Sequence, residues 1–302
     1  MVSTRLELLT GKGGVGRSTL ALSLARAAAQ RGERVLLLEA EEGPERAAAL
    51  GRLLGLEPSG APKLVESRLS VAQLRAAEGH ESFLRGLIPA GPLIRAALGS
   101  RPLRRFLESA PAMYELGLFQ QLWSFLQDGA FDRIVLDLPA TGHALALLQL
   151  PDQLRMLLQK GPLVDRLMRG KVRVGDPQLT RIWIVTRPAP TIISEALELE
   201  EQLRIEGLSC AGFLLNGWST LKLDAHAEEV AEELLREYPE SDEAQALSQR
   251  KHVEPLLRGL HDRAALWTLP QLIPSPLERP PPAWYQPLVD ALIPLLTPRE
   301  EL

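Results

Sequence analysis

A glycine-rich segment at residues 11–19, with the sequence GKGGVGRST, constrains the fold of this chain more than any other feature. A short apolar run at residues 5–10 precedes it, and apolar residues at helical spacing follow it. A second apolar run at residues 34–39 is typical of a fully buried strand. The order strand, glycine loop, helix and strand is the setting in which a protein backbone wraps around phosphate groups.

The residues of this loop have separate predicted roles. The glycines let consecutive backbone N–H groups point at phosphate oxygens, and the following helix adds its positive N-terminal end. Ser18 stands where such loops place the hydroxyl that binds Mg²⁺, and Thr19 can donate to a phosphate oxygen. A merely flexible turn is the alternative, and the flanking strand and helix argue against it. The predicted nucleotide-binding residues of the loop are Gly11, Gly13, Gly14, Val15, Gly16, Arg17, Ser18 and Thr19.

Two basic side chains of the loop need separate treatment. Lys12 lies early in the loop, where most phosphate loops have no specific residue, and Arg17 takes the place of the lysine that touches the terminal phosphates. Arginine keeps the positive charge, but its planar guanidinium is larger than an ammonium and is not interchangeable with it. We therefore expect phosphate binding to persist and the positioning that hydrolysis requires to be weaker.

Further apolar runs alternate with helical patterns along the chain. Residues 133–137, 181–186 and 211–216 predict buried strands, and a short strand at 266–269 and a closing helix at 284–296 follow. Buried strands that alternate with helices indicate an α/β fold whose mostly parallel sheet has helices on both faces. No internal repeat is evident, so we expect a single domain over residues 1–302.

The region from about residue 44 to residue 130 contains no apolar run comparable to these strands. It is rich in Ala, Leu, Arg and Glu and is interrupted by prolines, so it predicts a helical insert at about residues 45–130. Amphipathic helices are predicted at residues 225–238 and 243–260. The apolar positions of the insert are open to two interpretations, the groove of a client protein or ordinary helix core, among them Leu84, Leu87, Phe106, Leu107, Met113 and Leu116.

Charge and composition exclude several classes of function. The net charge of −4 gives no reason to expect binding to nucleic acid or to anionic lipid. The single cysteine, Cys210, excludes a disulfide framework or a cysteine-based metal site within one chain. No apolar stretch reaches the roughly 20 residues that a membrane-spanning helix needs, and no signal-peptide pattern is present. We therefore expect a cytoplasmic protein without a transmembrane segment.

Two motifs resemble one family of nucleotide-binding proteins. GKGGVGRST is similar to the deviant Walker A loop of the ArsA and tail-anchored-protein-targeting ATPases, which belong to the SIMIBI type of P-loop NTPase. DLPATGHAL, which begins at Asp137, resembles the switch II segment of this branch. The resemblance implies that Asp137 binds Mg²⁺ through water, that Gly142 senses the γ-phosphate, and that Lys12 reaches the nucleotide of a partner subunit. The second lysine of the family's loop is Arg17 here.

Two further positions match the family less closely. Asn216 at a predicted strand end resembles the asparagine that contacts the adenine base, although asparagine is also a common turn residue. Glu41 aligns with the switch I aspartate that orients the attacking water, with a solvated acidic turn as the alternative. The resemblance thus implies a catalytic set of Lys12, Arg17 and Glu41.

The implied function is an ATP-binding dimeric switch that uses ATP and Mg²⁺ and couples its nucleotide state to a client or partner protein. The dimer would be a homodimer or a heterodimer with a paralogous ATPase. Arg17 and Glu41 favour an alternative, a hydrolysis-deficient scaffold or pseudo-ATPase subunit that pairs with an active paralogue. A positioning ATPase of the MinD or ParA type is less favoured, because the C-terminal residues 298–302 form no basic amphipathic helix.

Overall fold

The computed structural model describes most of the chain and leaves several segments outside the description. The described residues are 4–41, 48–57, 59–87, 113–139, 141–158, 162–218, 229–230, 233, 236–238, 253–272, 275, 277 and 279–296. The strands are β1 (Arg5–Gly11), β2 (Val35–Ala40), β3 (Lys63–Glu66), β4 (Leu69–Leu74), β5 (Arg133–Asp137), β6 (Thr180–Thr186), β7 (Cys210–Asn216) and β8 (Leu266–Leu269).

The helices lie mostly between these strands in the chain. They are α1 (Arg17–Gln30), α2 (Ala49–Leu54), α3 (Ala76–Leu87), α4 (Met113–Asp128), α5 (Thr141–Leu158), α6 (Pro162–Gly175), α7 (Pro190–Ile205), α8 (residues 253–261) and α9 (Gln286–Leu292). Short 3-10 turns at Pro282–Tyr285 and Ile293–Leu296 flank α9. None of the described helices combines the length and the apolar character that crossing a bilayer requires.

The described strands form one eight-stranded sheet in the order β3-β4-β2-β5-β1-β6-β7-β8. Only β3 runs antiparallel to its neighbour, and every other neighbouring pair is parallel. The predicted α/β fold of the P-loop NTPase type, with a mostly parallel sheet, is therefore confirmed. The carboxyl ends of β1, β5, β6 and β7 meet at one edge of this sheet, which is where ligands bind in open α/β folds.

Both faces of the sheet are buried. Leu6 and Leu8 of β1 belong to an apolar cluster that includes residues of α4, α5, α6 and α7. Leu9 belongs to the opposite cluster, which includes residues of α1 and α9. Successive side chains of a strand point to opposite faces, so a strand covered by helices on both sides is apolar throughout. This explains why the central strands are continuous apolar runs in the sequence.

The expectation that residues 44–130 contain no strand is wrong. The strand β4 lies in this region, pairs in parallel with β2 and is almost entirely buried, and β3 pairs with its outer side. The sequence of β4, LSVAQL, interrupts its apolar residues with Ser70 and Gln73, because it lies near the sheet edge rather than at its centre. The helices α2, α3 and α4 also lie in this region, and residues 88–112 are outside the described part. The helical insert as a subdomain stays a prediction.

The end of the chain agrees with the predicted elements wherever it is described. The last predicted strand is β8, which pairs in parallel with β7. The predicted closing helix is α9 with its two 3-10 turns. Of the two predicted amphipathic helices, α8 accounts for the end of the second. Most of residues 219–252 lies outside the described part.

A buried ionic cluster connects the three central strands. Glu7 of β1 is 1% exposed and accepts hydrogen bonds from Arg133 of β5, from Arg181 of β6 at 3.1 Å and from Trp183 Nε1 at 2.8 Å. Arg133 also donates to Glu33 at 2.7 Å. Burial by itself would lower the pKa of Arg133, but the charges of Glu7 and Glu33 raise it above its ordinary value. The guanidinium therefore stays charged inside the fold.

Candidate functional site

An open pocket of about 680 Å³ lies at the carboxyl edge of the sheet, beside the glycine loop. A cavity of this size suits a nucleotide or another ligand of similar dimensions. The pocket also includes residues from α2 and from the C-terminal part of the chain. Its lining residues are Lys12, Gly14, Gly16, Arg17, Ser18, Thr19, Ala49, Arg52, Leu53 and Arg279.

The backbone of the loop requires glycine at Gly11 and Gly16. Gly11 has a φ of 148°, and a Cβ atom there would lie 2.3 Å from the carbonyl oxygen of Val185. Gly16 has a φ of 89°, and a Cβ atom there would lie 2.3 Å from Nδ2 of Asn216. Only glycine adopts such conformations readily and leaves room for the neighbouring strands. The side chain of Val15 is buried in the apolar cluster that contains α1, so it attaches the loop to the protein core.

The helix α1 begins at Arg17, directly after the loop. Gly16 is its N-cap, and no side chain of the described residues caps this end of the helix. Uncapped N–H groups and the helix dipole make such an end favourable for an anion. Ser18 and Thr19 of the first turn line the pocket. Of the predicted nucleotide-binding residues of the loop, Gly14, Gly16, Arg17, Ser18 and Thr19 line the cavity, and their contact with a nucleotide stays a prediction.

Arg17 does not extend as a free cation into the pocket. Its Nε atom lies 2.5 Å from Oδ1 of Asp137 at the end of β5, and its Nη1 atom lies 3.1 Å from the carbonyl oxygen of Gly11. The side chains of Arg17 and Asp137 are 12% and 2% exposed. The guanidinium is therefore held against the base of its own loop by two acceptors.

Ser18 and Asp137, the two predicted metal ligands, also contact each other. The hydroxyl of Ser18 donates to Oδ2 of Asp137 over 2.5 Å. Serine and aspartate oxygens are ligands that Mg²⁺ accepts. Here, however, Oδ1 of Asp137 accepts a hydrogen bond from Nε of Arg17, and Oδ2 accepts one from the hydroxyl of Ser18. In this arrangement the two residues do not fit a magnesium ion, because both carboxylate oxygens are already engaged by donors.

Lys12 reaches a residue that the sequence did not single out. Its Nζ atom lies 2.5 Å from Oε1 of Glu195 on α7, and both side chains are nearly half exposed. An exposed ion pair of this kind stabilises a fold by at most about 1 kcal/mol. Lys12 is therefore held only weakly within its own chain. Glu195 is one of several acids on α7, so nothing in the sequence distinguished it from the others.

Asn216 lies beside the loop, and its observed contact is with the backbone. Its Nδ2 group donates to the carbonyl oxygen of Val15 over 2.8 Å. The end of β7 thereby holds the loop just before its turn at Gly16. The predicted contact of Asn216 with adenine is not tested by this geometry and stays a prediction.

The two predicted switch residues are placed at strand and helix ends. Glu41 follows β2, where its backbone N–H donates to the carbonyl oxygen of Leu74 over 3.0 Å and its own carbonyl oxygen accepts from the hydroxyl of Tyr114. It is not among the described residues that line the pocket. Gly142 lies in the first turn of α5, shortly after Asp137. The roles proposed for Glu41 and Gly142 stay predictions.

Glu39, which sequence reasoning did not select, positions one wall of the pocket. Its two carboxylate oxygens accept from the backbone N–H groups of Ala49 and Leu50, over 2.5 Å and 3.0 Å. These are the first residues of α2, the helix that contributes Arg52 to the pocket. A carboxylate at a helix N-terminus stabilises it by satisfying amides that have no partner in the helix. The feature of the sequence that could have identified Glu39 is an acidic residue within an otherwise apolar strand.

Two arginines of the pocket were also missed by the sequence analysis. Arg52 comes from α2, and Arg279 precedes α9. A Cβ atom on Gly55 would lie 2.5 Å from Nη1 of Arg279, so this guanidinium packs against the C-terminal end of α2. The pocket is therefore lined by the basic side chains of Lys12, Arg17, Arg52 and Arg279. Such a lining favours a polyanionic ligand.

Several known proteins are similar to this chain in sequence. The anion-transporting ATPase family matches residues 4–174, which is more than half of the chain. An uncharacterised protein of Streptomyces coelicolor is 33% identical over 203 residues, covering 66% of this chain and 50% of that protein. The arsenical pump-driving ATPase of Escherichia coli is 24% identical over 228 residues, covering 69% of this chain and 38% of that enzyme.

A plant protein gives a longer match. The ATPase GET3B of Arabidopsis thaliana is 26% identical over 260 residues, covering 69% of this chain and 63% of that protein. In each of these comparisons the match spans less than two thirds of the relative. The family match over residues 4–174 includes the phosphate loop, β5 with Asp137 and the first turn of α5. The chain therefore belongs to the anion-transporting ATPase (ArsA) family.

Proposed function

We propose that this chain binds ATP in the pocket beside residues 11–19 and hydrolyses it slowly. The observation that carries the proposal is the position of the guanidinium of Arg17. It lies at the phosphate loop, but it is engaged by Asp137 and by the carbonyl oxygen of Gly11. The loop can therefore hold an anion through its backbone, while the charge that would stabilise phosphoryl transfer is paired with Asp137 at the base of the pocket.

Binding would depend on the loop amides and on two other cations. The N–H groups from Gly13 to Thr19 surround the position of the phosphates, as in other loops of this class. Arg52 and Arg279 line the same pocket and would offset the negative charge of the triphosphate. The names of the Escherichia coli and Arabidopsis relatives support ATP as the nucleotide.

Slow hydrolysis follows from what transfer of the γ-phosphoryl group needs. An enzyme catalyses this reaction by positioning the attacking water and by placing positive charge beside the transferred group. Glu41 is the proposed residue that orients the water. It lies two residues beyond Glu39, which is the register partner of Asp137 on the neighbouring strand. Arg17 would supply charge only after leaving Asp137.

The chain would act as a dimeric switch whose nucleotide state controls a client or partner protein. Lys12 is the proposed link between subunits, because it is exposed and its ion pair within its own chain is with the exposed Glu195. Such a weak contact is readily exchanged for the phosphates of a nucleotide in a second subunit. That subunit would be a copy of this chain or a paralogous ATPase.

The contact between Arg17 and Asp137 also favours a second candidate function. In that case the chain would be a nucleotide-binding subunit without turnover of its own, paired with an active paralogue. ATP turnover of the purified wild type and of an Arg17→Lys variant separates the two functions. The enzyme proposal expects slow turnover by the wild type and an increase of about tenfold in the variant, whose ammonium can reach the phosphates.

An Arg34→Lys variant serves as the matched control, because Arg34 lies at the opposite edge of the sheet, beside Asp132. Its turnover should equal that of the wild type. Absence of turnover in the wild type and in Arg17→Lys, with ATP binding retained, would reject the enzyme proposal in favour of the subunit without turnover. Fast turnover by the wild type alone would reject the second function.

A further inference from the structure

The guanidinium of Arg17 occupies the acceptor that a metal ion would need at this site. Its Nε atom lies 2.5 Å from Oδ1 of Asp137, and its Nη1 atom donates to the carbonyl oxygen of Gly11 over 3.1 Å. A planar guanidinium donates along several fixed directions, so two acceptors at these positions hold it in one orientation. A single ammonium group could not make the same pair of directed contacts as rigidly.

The second oxygen of Asp137 is engaged as well. The hydroxyl of Ser18 donates its proton to Oδ2, so its hydrogen points at Asp137 and not at the pocket. Asp137 is 2% exposed, so its carboxylate is shielded from competing water. Ser18 and Arg17 thus both contact Asp137 at the base of the loop.

The charges at this position also disfavour a divalent cation. The positive charge of Arg17 offsets the negative charge of Asp137 and so weakens the attraction of this carboxylate for a cation. Magnesium is bound by oxygen ligands in near-octahedral geometry and usually needs one or two carboxylates. Within the described part of the chain, no group of three or more His, Cys, Asp or Glu side chains could hold a metal ion.

We propose that Arg17 takes the place of the metal ion at Asp137, so that this chain binds a nucleoside triphosphate without requiring a divalent cation. The inference rests on the proposed binding of ATP and adds that the ligand is the metal-free anion. Arg52 and Arg279 then offset the charge of the phosphates from the other sides of the pocket. Arg17 contributes by neutralising Asp137, which would otherwise repel the phosphates from the base of the loop.

The test is the effect of magnesium on ATP affinity, measured by calorimetry for the wild type and for Arg17→Lys. Each protein is titrated with ATP once in excess EDTA and once in excess Mg²⁺. The wild type should bind with affinities that agree within about threefold in the two conditions. Arg17→Lys should gain about tenfold or more from Mg²⁺, since its ammonium can leave Asp137 and expose the carboxylate to the ion.

A second readout follows the ion instead of the nucleotide. Mn²⁺, which has ligand preferences close to those of Mg²⁺, is detected by electron paramagnetic resonance in the presence of ATP. With the wild type, the amount of bound Mn²⁺ should not exceed the amount that the same concentration of ATP binds without protein. With Arg17→Lys, the amount of bound Mn²⁺ should be larger. The Arg34→Lys control should behave as the wild type in both measurements.

The outcomes are distinguishable from failure of the proposed function. An increase of about tenfold or more in wild-type affinity on adding Mg²⁺ would overturn the inference while leaving ATP binding intact. Folded wild type that binds no ATP in either condition would overturn the proposed function, and the inference with it. The wild-type measurement decides the question by itself if Arg17→Lys fails to fold.

Discussion

Gly16 lies at the tightest point of the phosphate loop, between the end of β7 and the start of α1. Its φ is 89°, and a Cβ atom at this position would come within 2.3 Å of Nδ2 of Asn216, so there is no room for a side chain. The same asparagine holds the carbonyl group of Val15. Any side chain at position 16 would therefore displace both the loop and the contact that fixes it.

Replacing Gly16 with alanine should lower the free energy of unfolding by about 1–3 kcal/mol, the usual cost of a strained backbone conformation. Thermal or denaturant unfolding without nucleotide measures the change. Gly13→Ala is the matched control, because a Cβ atom at Gly13 meets no atom within 4 Å and its φ is not positive. Equal destabilisation by the two substitutions would contradict the loop geometry.

The contact between Lys12 and Glu195 restrains the cation that is proposed to reach a nucleotide. Replacing Glu195 with glutamine removes the charge of this partner and should raise ATP affinity by up to about fivefold at low ionic strength. The gain should shrink as salt is added, because exposed charges are screened. Calorimetric titration at two salt concentrations measures both effects.

Glu198→Gln provides the comparison for this prediction. It removes the same charge from the same helix, but Glu198 lines a surface depression with Glu201 and Arg263 instead of the nucleotide pocket. An identical gain in both variants would mean that only the overall charge matters. No gain in Glu195→Gln would mean that the ion pair does not restrain Lys12.

Single residues also show what sequence can and cannot predict about the site. Phosphate binding by the loop could be predicted from the sequence, because glycines, a hydroxyl and basic residues at these spacings are rarely found for another reason. The contact of Arg17 with Asp137 was not, because it joins residues 120 positions apart through a side-chain rotamer. Arg52 and Arg279 were equally hidden, since exposed arginines are common in this chain and only folding places these two at the pocket.

At the scale of strands, the sheet depends on the ionic cluster around Glu7. This carboxylate accepts from Arg133 and Arg181 on the two neighbouring strands, and Arg181 also donates to the carbonyl oxygen of Leu295 beyond α9. Removing one partner from a buried ion pair leaves an uncompensated charge in a low-dielectric environment. The cluster therefore connects the central strands to the C-terminal turn.

Glu7→Gln should lower the free energy of unfolding by about 3 kcal/mol, because Arg133 is fully buried and keeps only Glu33 as a charged partner. Chemical denaturation at neutral pH measures this change. Asp132→Asn, which breaks the exposed pair with Arg34, should produce a clearly smaller effect. Comparable losses in the two variants would show that burial does not determine the strength of the Glu7 cluster.

The elements that the sequence predicted well are those buried on both faces. The strands β1, β2 and β5 lie well inside the sheet, and their side chains contact helices on either side, so each contains a run of apolar residues. The strand β4 escaped prediction because the sheet ends only one strand beyond it, at β3. Its mixed sequence resembles that of the surrounding helices, and the pairing with β2 that defines it is a long-range contact.

At the scale of the whole molecule, distant parts of the chain converge on one pocket. The loop after β1 provides the phosphate-binding amides, α2 provides Arg52, and the segment before α9 provides Arg279. Glu39 fixes the start of α2, and Arg279 packs against its end at Gly55. A ligand that contacts all three parts would join α2 and the C-terminal region to the loop. This arrangement supports a switch that responds to nucleotide.

The central claim is that the backbone amides between Gly13 and Thr19 bind the phosphates of ATP. Hydrogen–deuterium exchange of the wild type with and without ATP tests it most directly, because exchange slows where an amide gains a hydrogen-bond partner. The account predicts slower exchange at residues 13–19 and in the first turn of α1 when ATP is present. Unchanged exchange at residues 13–19, with protection by ATP appearing elsewhere or nowhere, would contradict it.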